Sequence, residues 1–331
     1  MREFRTPLLI ALIFSLMLGL GLGWKLRRDR AAQLGVVTSS RKLRILSLKG
    51  ALPASALRSF RSAENCQVEL IEEPTPDAVF ARLEADHSFD LVTLLASQTS
   101  RALQATFIQP FALNEISNAT NISKDFLDLP VRLPTTVPIL WGVLGFAYSS
   151  KAVSDLQSWK DVFELDREIR IFMKPLTFEI FRLAKMNMPL PFAENALQDR
   201  VKKFNSLYRR SELFFADPAL TESGADVIEI SSSEASLPAF HDMTFVLPTE
   251  KALMWILDLA LTSGAKNSED AKAFANHVLK PEVAIEISTK NHQASTNSAV
   301  ESSSLPPKQK PSALRQLPLT QLDFLLNDSR N

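Results

Sequence analysis

Catalysis or metal binding in this chain would have to be built from four histidines, one cysteine and its hydroxyl and carboxyl side chains. His87, His241, His277 and His292 are scattered, and no His or Cys pair stands at metal-ligand spacing. His241, before Asp242, is the only histidine followed directly by an acid and reads as part of a solvated loop. The lone Cys66 excludes an intrachain disulfide and reads as a small buried apolar residue. There is no G-x-S-x-G elbow and no phosphate-binding P-loop sequence. Ser231-Ser232-Ser233 follows an expected strand; it can be a turn with local side-chain caps or a row of hydroxyl donors facing a cleft. No nucleophile–base set emerges. The expectation is a protein with no catalytic residues, no metal and no cofactor: a binding module rather than an enzyme.

The elements that would carry these groups alternate short apolar runs with helix-period segments, as βαβ units do. Strands are expected at Leu43–Leu48, Gln67–Ile71, Asp90–Leu95 and Leu140–Tyr148, then at Leu213–Phe215, Val227–Ile230, Thr244–Leu247 and Met254–Leu261. Helices are expected at Pro53–Arg61, Thr75–Glu84, Ser158–Phe163, Phe178–Met186, Ala193–Tyr208, Ser268–Leu279, Glu282–Thr289 and Leu317–Leu326. Nearly continuous apolar strands belong to parallel sheets covered on both faces. A chain of 331 residues is too long for one small core, so two α/β lobes are the natural division.

Formal net charge is zero, but it is unevenly spread. Residues 1–30 carry six basic and two acidic side chains, leaving a mildly acidic body with no electrostatic footprint for nucleic acid. Arg2 and Arg5 precede an uncharged apolar run from Pro7 to Trp24. Its length lies between a secretory h-region of about 7–15 residues and a membrane span of about 20. Residues 1–30 are therefore a signal peptide or a membrane anchor, and 31–40 a tether. Gly19, Gly21 and Gly23 lie within this run and do not form a dinucleotide fingerprint. Lys25, Arg27, Arg28 and Arg30 follow the run, and the positive-inside rule alone would hold the body in the cytoplasm.

Four segments carry a resemblance: Leu43–Phe60 (LRILSLKGALPASALRSF), residues 89–111 (FDLVTLLASQTSRALQATFIQPF), Val137–Val153 (VPILWGVLGFAYSSKAV) with Ser158–Phe163 (SWKDVF), and Leu247–Ala284 with its Trp255 and Pro281-Glu282-Val283-Ala284. In this order the chain resembles extracellular solute-binding proteins of the spermidine/putrescine type, the type II periplasmic binding proteins of ABC transporters. The resemblance implies a two-lobed α/β clamshell that closes on a solute and docks on an inner-membrane permease. It implies a periplasmic protein, a monomer, anchored to the inner membrane by its N-terminal helix or secreted after cleavage. Lobe 1 would be 41–138 with 257–300, and lobe 2 would be 139–256 with 301–331.

The polyamine site of that family uses aromatic faces for the alkyl chain and carboxylates for the ammonium ends. Carried over position by position, most of that set is missing. Where the first loop supplies an aromatic and an acid, this chain has Ser47-Leu48-Lys49-Gly50; where the next supplies tyrosines, it has Ala96-Ser97-Gln98. Of an acid pair in the second lobe only Glu179 remains, with Leu176 at the other place, and a tryptophan position falls on Ser231. Trp255 matches a ligand-stacking tryptophan, but Leu257 stands where an acid follows it, with Asp258 one place off, and a late aromatic falls on Gln293. A dication buried without carboxylates keeps its desolvation cost. The candidate ligand set Lys49, Ser97, Gln98, Glu179, Ser231, Trp255 and Gln293 therefore suits a neutral polar or anionic small solute. The alternative is the same fold serving as a membrane-tethered sensor or interaction protein without transport.

Overall fold

The structure, a computed structural model, describes residues 41–127, 129, 133–151, 153, 155–158, 161–162, 165, 171–173, 208–210, 226–231, 234–249 and 253–300. The apolar run Pro7–Trp24, Glu179, and the helices and strand expected within 178–207, 213–215 and 317–326 lie outside these residues; Tyr208, the expected end of the helix from Ala193, instead begins a short strand. Among the described residues no helix is long and apolar enough to cross a membrane.

The chain opens as the apolar runs dictate. Strand β1 (Lys42–Leu48) leads to helix α1 (Ala54–Glu64), β2 (Gln67–Glu73), α2 (Pro76–Ala85), β3 (Leu91–Leu95) and α3 (Ala96–Gln104). Proline rigidifies two helix starts, at Pro53 before α1 and at Pro76 inside α2. Thr75 caps α2 by accepting from the Ala78 backbone N–H at 3.2 Å. Asn65 ends α1 in the left-handed region at φ 48°. β1 pairs in parallel with both β2 and β3, so each crossover needs its helix. All five residues of β3 are buried, as expected of a strand covered on both faces.

Beyond α3 come β4 (Ile108–Gln109), two 3₁₀ turns, and the short α4 (Lys124–Leu127). Strand β5 (Val137–Ser149) is the spine of the molecule, with twelve of its thirteen residues buried. The remaining strands are β6 (Ile171–Met173), β7 (Tyr208–Arg210), β8 (Val227–Ser231), β9 (Met243–Val246), β10 (Leu253–Thr262) and β11 (Ala294–Ser295). α5 (Ser268–Val278) and α6 (Pro281–Asn291) stand between the last two. One mixed sheet runs β2-β1-β3-β10-β5-β8-β6-β7, with β4 on β10 and both β9 and β11 on β5.

Among the described residues, two clusters of buried apolar side chains stand out. The larger runs from Leu43 through β5 as far as Leu144 and takes in α1, α2, α5 and α6. The smaller contains Ala147, Phe172, Ile228, Ile230 and Phe240. β5 belongs to both.

Candidate functional site

The strand register brings the expected ligand residues to one end of the first sheet. β1 and β3 are parallel neighbours, so the turn at Lys49 and the first turn of α3, with Ser97 and Gln98, leave the sheet at the same end. Ligands of open α/β sheets bind outside such carboxyl ends. β10 meets β3 with Leu257 opposite Leu95, which carries Trp255 two residues past the end of β3. Trp255 in turn faces Gly142 across β5. From the other edge of β5, Ala294 lies opposite Trp141 and Ser231 opposite Leu144. Six of the seven candidates thus share one level of the sheet; the seventh, Glu179, lies outside the described residues.

Their environments differ. Lys49 and Ser97 are exposed and Gln98 is half-buried. Gln98 spends its side-chain oxygen on the Leu95 backbone N–H at 3.2 Å. The turn at Lys49 is set by Gly50, whose φ of 81° suits glycine, and by Lys49 N–H donating to the Glu73 carbonyl at 2.8 Å. The other three candidates are buried: Trp255 is 4% exposed, Gln293 1% and Ser231 0%. The Trp255 indole lies flat against Gly142, where a Cβ would fall 2.8 Å from its ring. The Ser231 hydroxyl donates to the Gln293 side-chain oxygen at 3.1 Å. The expected ligand set therefore separates into an exposed rim and a packed floor.

Two acids that sequence reasoning did not single out lie in that floor. The Glu234 carboxylate accepts from Ser231 N–H at 2.7 Å, while Glu234 N–H donates to the Ser231 hydroxyl at 3.3 Å. This is the reciprocal capping box, and its S-x-x-E spacing was legible at Ser231-Ser232-Ser233-Glu234. The turn reading of the serine row thus accounts for Ser231, although Ser231 also meets Gln293. Glu229, two residues earlier on β8, is 3% exposed and carries no local sequence signal. Asp258 is fully buried and accepts from the Thr136 hydroxyl at 2.6 Å. A register shift at Leu257/Asp258 marks the place where β10 passes Ile139.

Only one Ser–His contact occurs among the described hydrogen bonds. Ser59 Oγ lies 2.9 Å from His277 Nε2 and donates to the Ala56 carbonyl at 2.9 Å. The same hydroxyl is shared between that carbonyl and the imidazole, and no acid is hydrogen-bonded to the ring to complete a nucleophile–base–acid set among the described hydrogen bonds. Burial, then the charge of Lys280, hold the imidazole pKa below its ordinary value. Cys66 is fully buried, and burial followed by nearby Asp270 pushes its thiol pKa up, which makes it unreactive. No group of three potential metal ligands is found among the described residues.

A mixed α/β sheet with exposed polar groups at its strand ends accords with the periplasmic-binding-protein-like fold that the resemblance implies. The comparison with solved structures agrees: the spermidine/putrescine substrate-binding protein PotD of Streptococcus pneumoniae superposes with a TM-score of 0.64 at 19% identity, covering 86% of this chain and 92% of that one. AfuA of Actinobacillus pleuropneumoniae, solved with fructose-6-phosphate, superposes with a TM-score of 0.65 at 18% identity, covering 81% and 88%. In sequence, the spermidine/putrescine-binding periplasmic protein of Escherichia coli is 21% identical over 254 residues, 71% of this chain and 72% of that protein. The family model for bacterial extracellular solute-binding proteins matches residues 88–318. The chain belongs to that family.

Proposed function

We propose that this protein is the extracytoplasmic binding component of an ABC-type importer, and that its solute is a neutral polar or anionic small molecule rather than a polyamine. The two core clusters are read as two lobes, closing on the solute at the strand ends where Lys49, Ser97, Gln98, Trp255, Ser231 and Gln293 gather. By the resemblance, Glu179 belongs to the same ligand set. The protein acts as a monomer, held at the inner membrane through residues 1–30 or released after their cleavage, and presents its closed form to the permease.

One observation carries the choice of solute. Two of the three described carboxylates of the floor, Glu234 and Asp258, are engaged within the protein, by Ser231 N–H and by Thr136. The exposed rim offers a lysine and a hydroxyl, and its neighbouring Glu72 carboxylate already accepts from Gly50 N–H at 2.8 Å. An ammonium ion entering here would meet the Lys49 charge, and of the carboxylates that the polyamine-type site supplies only Glu179 remains to repay its lost water. Among the structural relatives, AfuA was solved with a sugar phosphate, so related folds are not confined to polyamines.

The test is calorimetric. Titration with spermidine and putrescine is expected to give no micromolar binding, and such binding would overturn the choice of solute. A thermal-shift screen of sugar phosphates, carboxylates and neutral polyols should find a stabiliser. A true ligand at 100 times its Kd adds about 2.7 kcal/mol to stability. The uncharged run Pro7–Trp24 favours a second reading, a permanently tethered sensor of the same solute; a gene neighbourhood without permease and ATPase would support it.

A further inference from the structure

We infer that the molecule bends at Gly142–Phe146 of β5, and that the Ser231–Gln293 hydrogen bond is a strut across this bend that fixes the angle between the two halves before solute arrives. The inference rests on the two-lobe reading above. Both edges of β5 change partner within this stretch. Along one edge β11 covers Leu140 and Trp141, and β8 takes over at Leu144. Along the other, β10 begins with Leu253 opposite Leu144, while β9 ends with Val246 opposite Phe146. The cores part at the same point: Leu144 belongs to the larger cluster and Ala147 to the smaller. A few residues at the ends of elements can absorb the dihedral change of a hinge.

On each side of the division a glycine of β5 is packed closely by the neighbouring strand. A Cβ on Gly145 would fall 2.3 Å from the Val246 carbonyl oxygen, and one on Gly142 would meet Trp255. On the β11/β8 edge, Gly142 and Val143 lie between the two strand partners. The Ser231–Gln293 bond spans that gap. Gln293 follows α6, on the side of the larger cluster, and its backbone is held twice by Ser288: its N–H donates to the Ser288 carbonyl at 3.1 Å and its carbonyl accepts from the Ser288 hydroxyl at 2.5 Å. Ser231 ends the strand whose Ile228 and Ile230 lie in the smaller cluster, and its capping box with Glu234 fixes it. With both anchors rigid and both side chains buried, bending cannot be absorbed locally. It must break this bond or carry it along. The division of the chain then falls near Leu144 on β5 and before Leu253 on the return path, rather than at 138/139 and 256/257.

Spin labels at Glu84→Cys and His241→Cys, both exposed sites, report the angle in the full chain without solute; Cys66 is buried and does not take label. Gln293→Ala removes the acceptor. Gln293→Asn keeps the amide but shortens its reach by one methylene. Ser231→Thr keeps the hydroxyl. Electron-spin distance measurements should show a broader distribution, shifted by several ångström, in Gln293→Ala and Gln293→Asn, and a parent-like one in Ser231→Thr. Superimposable distributions in the folded Gln293 variants would overturn the strut. Because no solute is present, this result stands apart from the choice of solute: a rejected ligand class leaves it intact, and an unmoved distance leaves the ligand class intact.

Discussion

The two ends of the first sheet use polar side chains in opposite ways. Where β3 begins, Asp90 is 2% exposed and its carboxylate accepts from Arg44 N–H at 2.9 Å, Lys266 N–H at 2.9 Å and Asn267 N–H at 3.0 Å. One side chain thereby ties β1, β3 and the turn before α5 together. Where β1 and β3 finish, Lys49 and Ser97 stand in solvent. The first end consumes this carboxylate in holding the fold, and the second leaves Lys49 and Ser97 exposed. Asp90→Ala should break this contrast most visibly. It strands three part-buried backbone donors, and the expected loss is about 3 kcal/mol, read as a lowered urea midpoint. Unchanged stability would mean that the closed end does not hold the fold.

Much of that closed end was legible beforehand, and for local reasons. The apolar runs and proline starts of β1, α1, β2, α2 and β3 depend on near neighbours, so the expected bounds lie within a few residues of those observed. Asp90 was visible as the residue leading a strand, but its partners at Lys266 and Asn267 are about 176 residues away, and no local pattern announces them. The site shows the same limit. Trp255 could be singled out by resemblance, but not its facing Gly142, because pairing between distant strands is set by the whole sheet. Ser231-x-x-Glu234 carried its own spacing signal, whereas Ser231 meeting Gln293 across 62 residues carried none. The two-residue strands β4 and β11 are too short to show alternation.

A smaller effect sharpens the contrast through pH. His277 lies on α5, its ring 5.5 Å from that of Phe60 on α1 and 4% exposed. Burial lowers its folded pKa, aided by the Lys280 charge; the Ala56 carbonyl, Glu64 and Glu282 act the other way. The sign follows from linkage. Above pH 6.5, the ordinary imidazole value, both folded and unfolded states hold a neutral ring and the histidine adds no pH dependence. As pH falls below that value the unfolded chain takes up the proton first, so folded stability declines until the folded pKa is reached. The melting temperature of the parent should therefore fall from pH 7 to pH 5 more steeply than that of His277→Gln. Parallel curves would remove His277 from the account.

The smallest expected effect on stability is also the most informative about function. Lys49 is exposed on a turn that Gly50 and backbone hydrogen bonds define, so Lys49→Ala removes no packing. Its effect on the urea midpoint should stay within about 0.5 kcal/mol, the usual range for an exposed site. Binding should respond differently. If the rim serves an anionic solute, removing the ammonium weakens affinity by about tenfold, about 1.4 kcal/mol, and more at low salt than at high salt. A neutral solute held through hydroxyl and amide groups would leave the salt dependence flat. Equal salt dependence in parent and variant, toward a solute of known negative charge, would remove Lys49 from the site and leave the buried floor of Trp255, Ser231 and Gln293 to account for recognition.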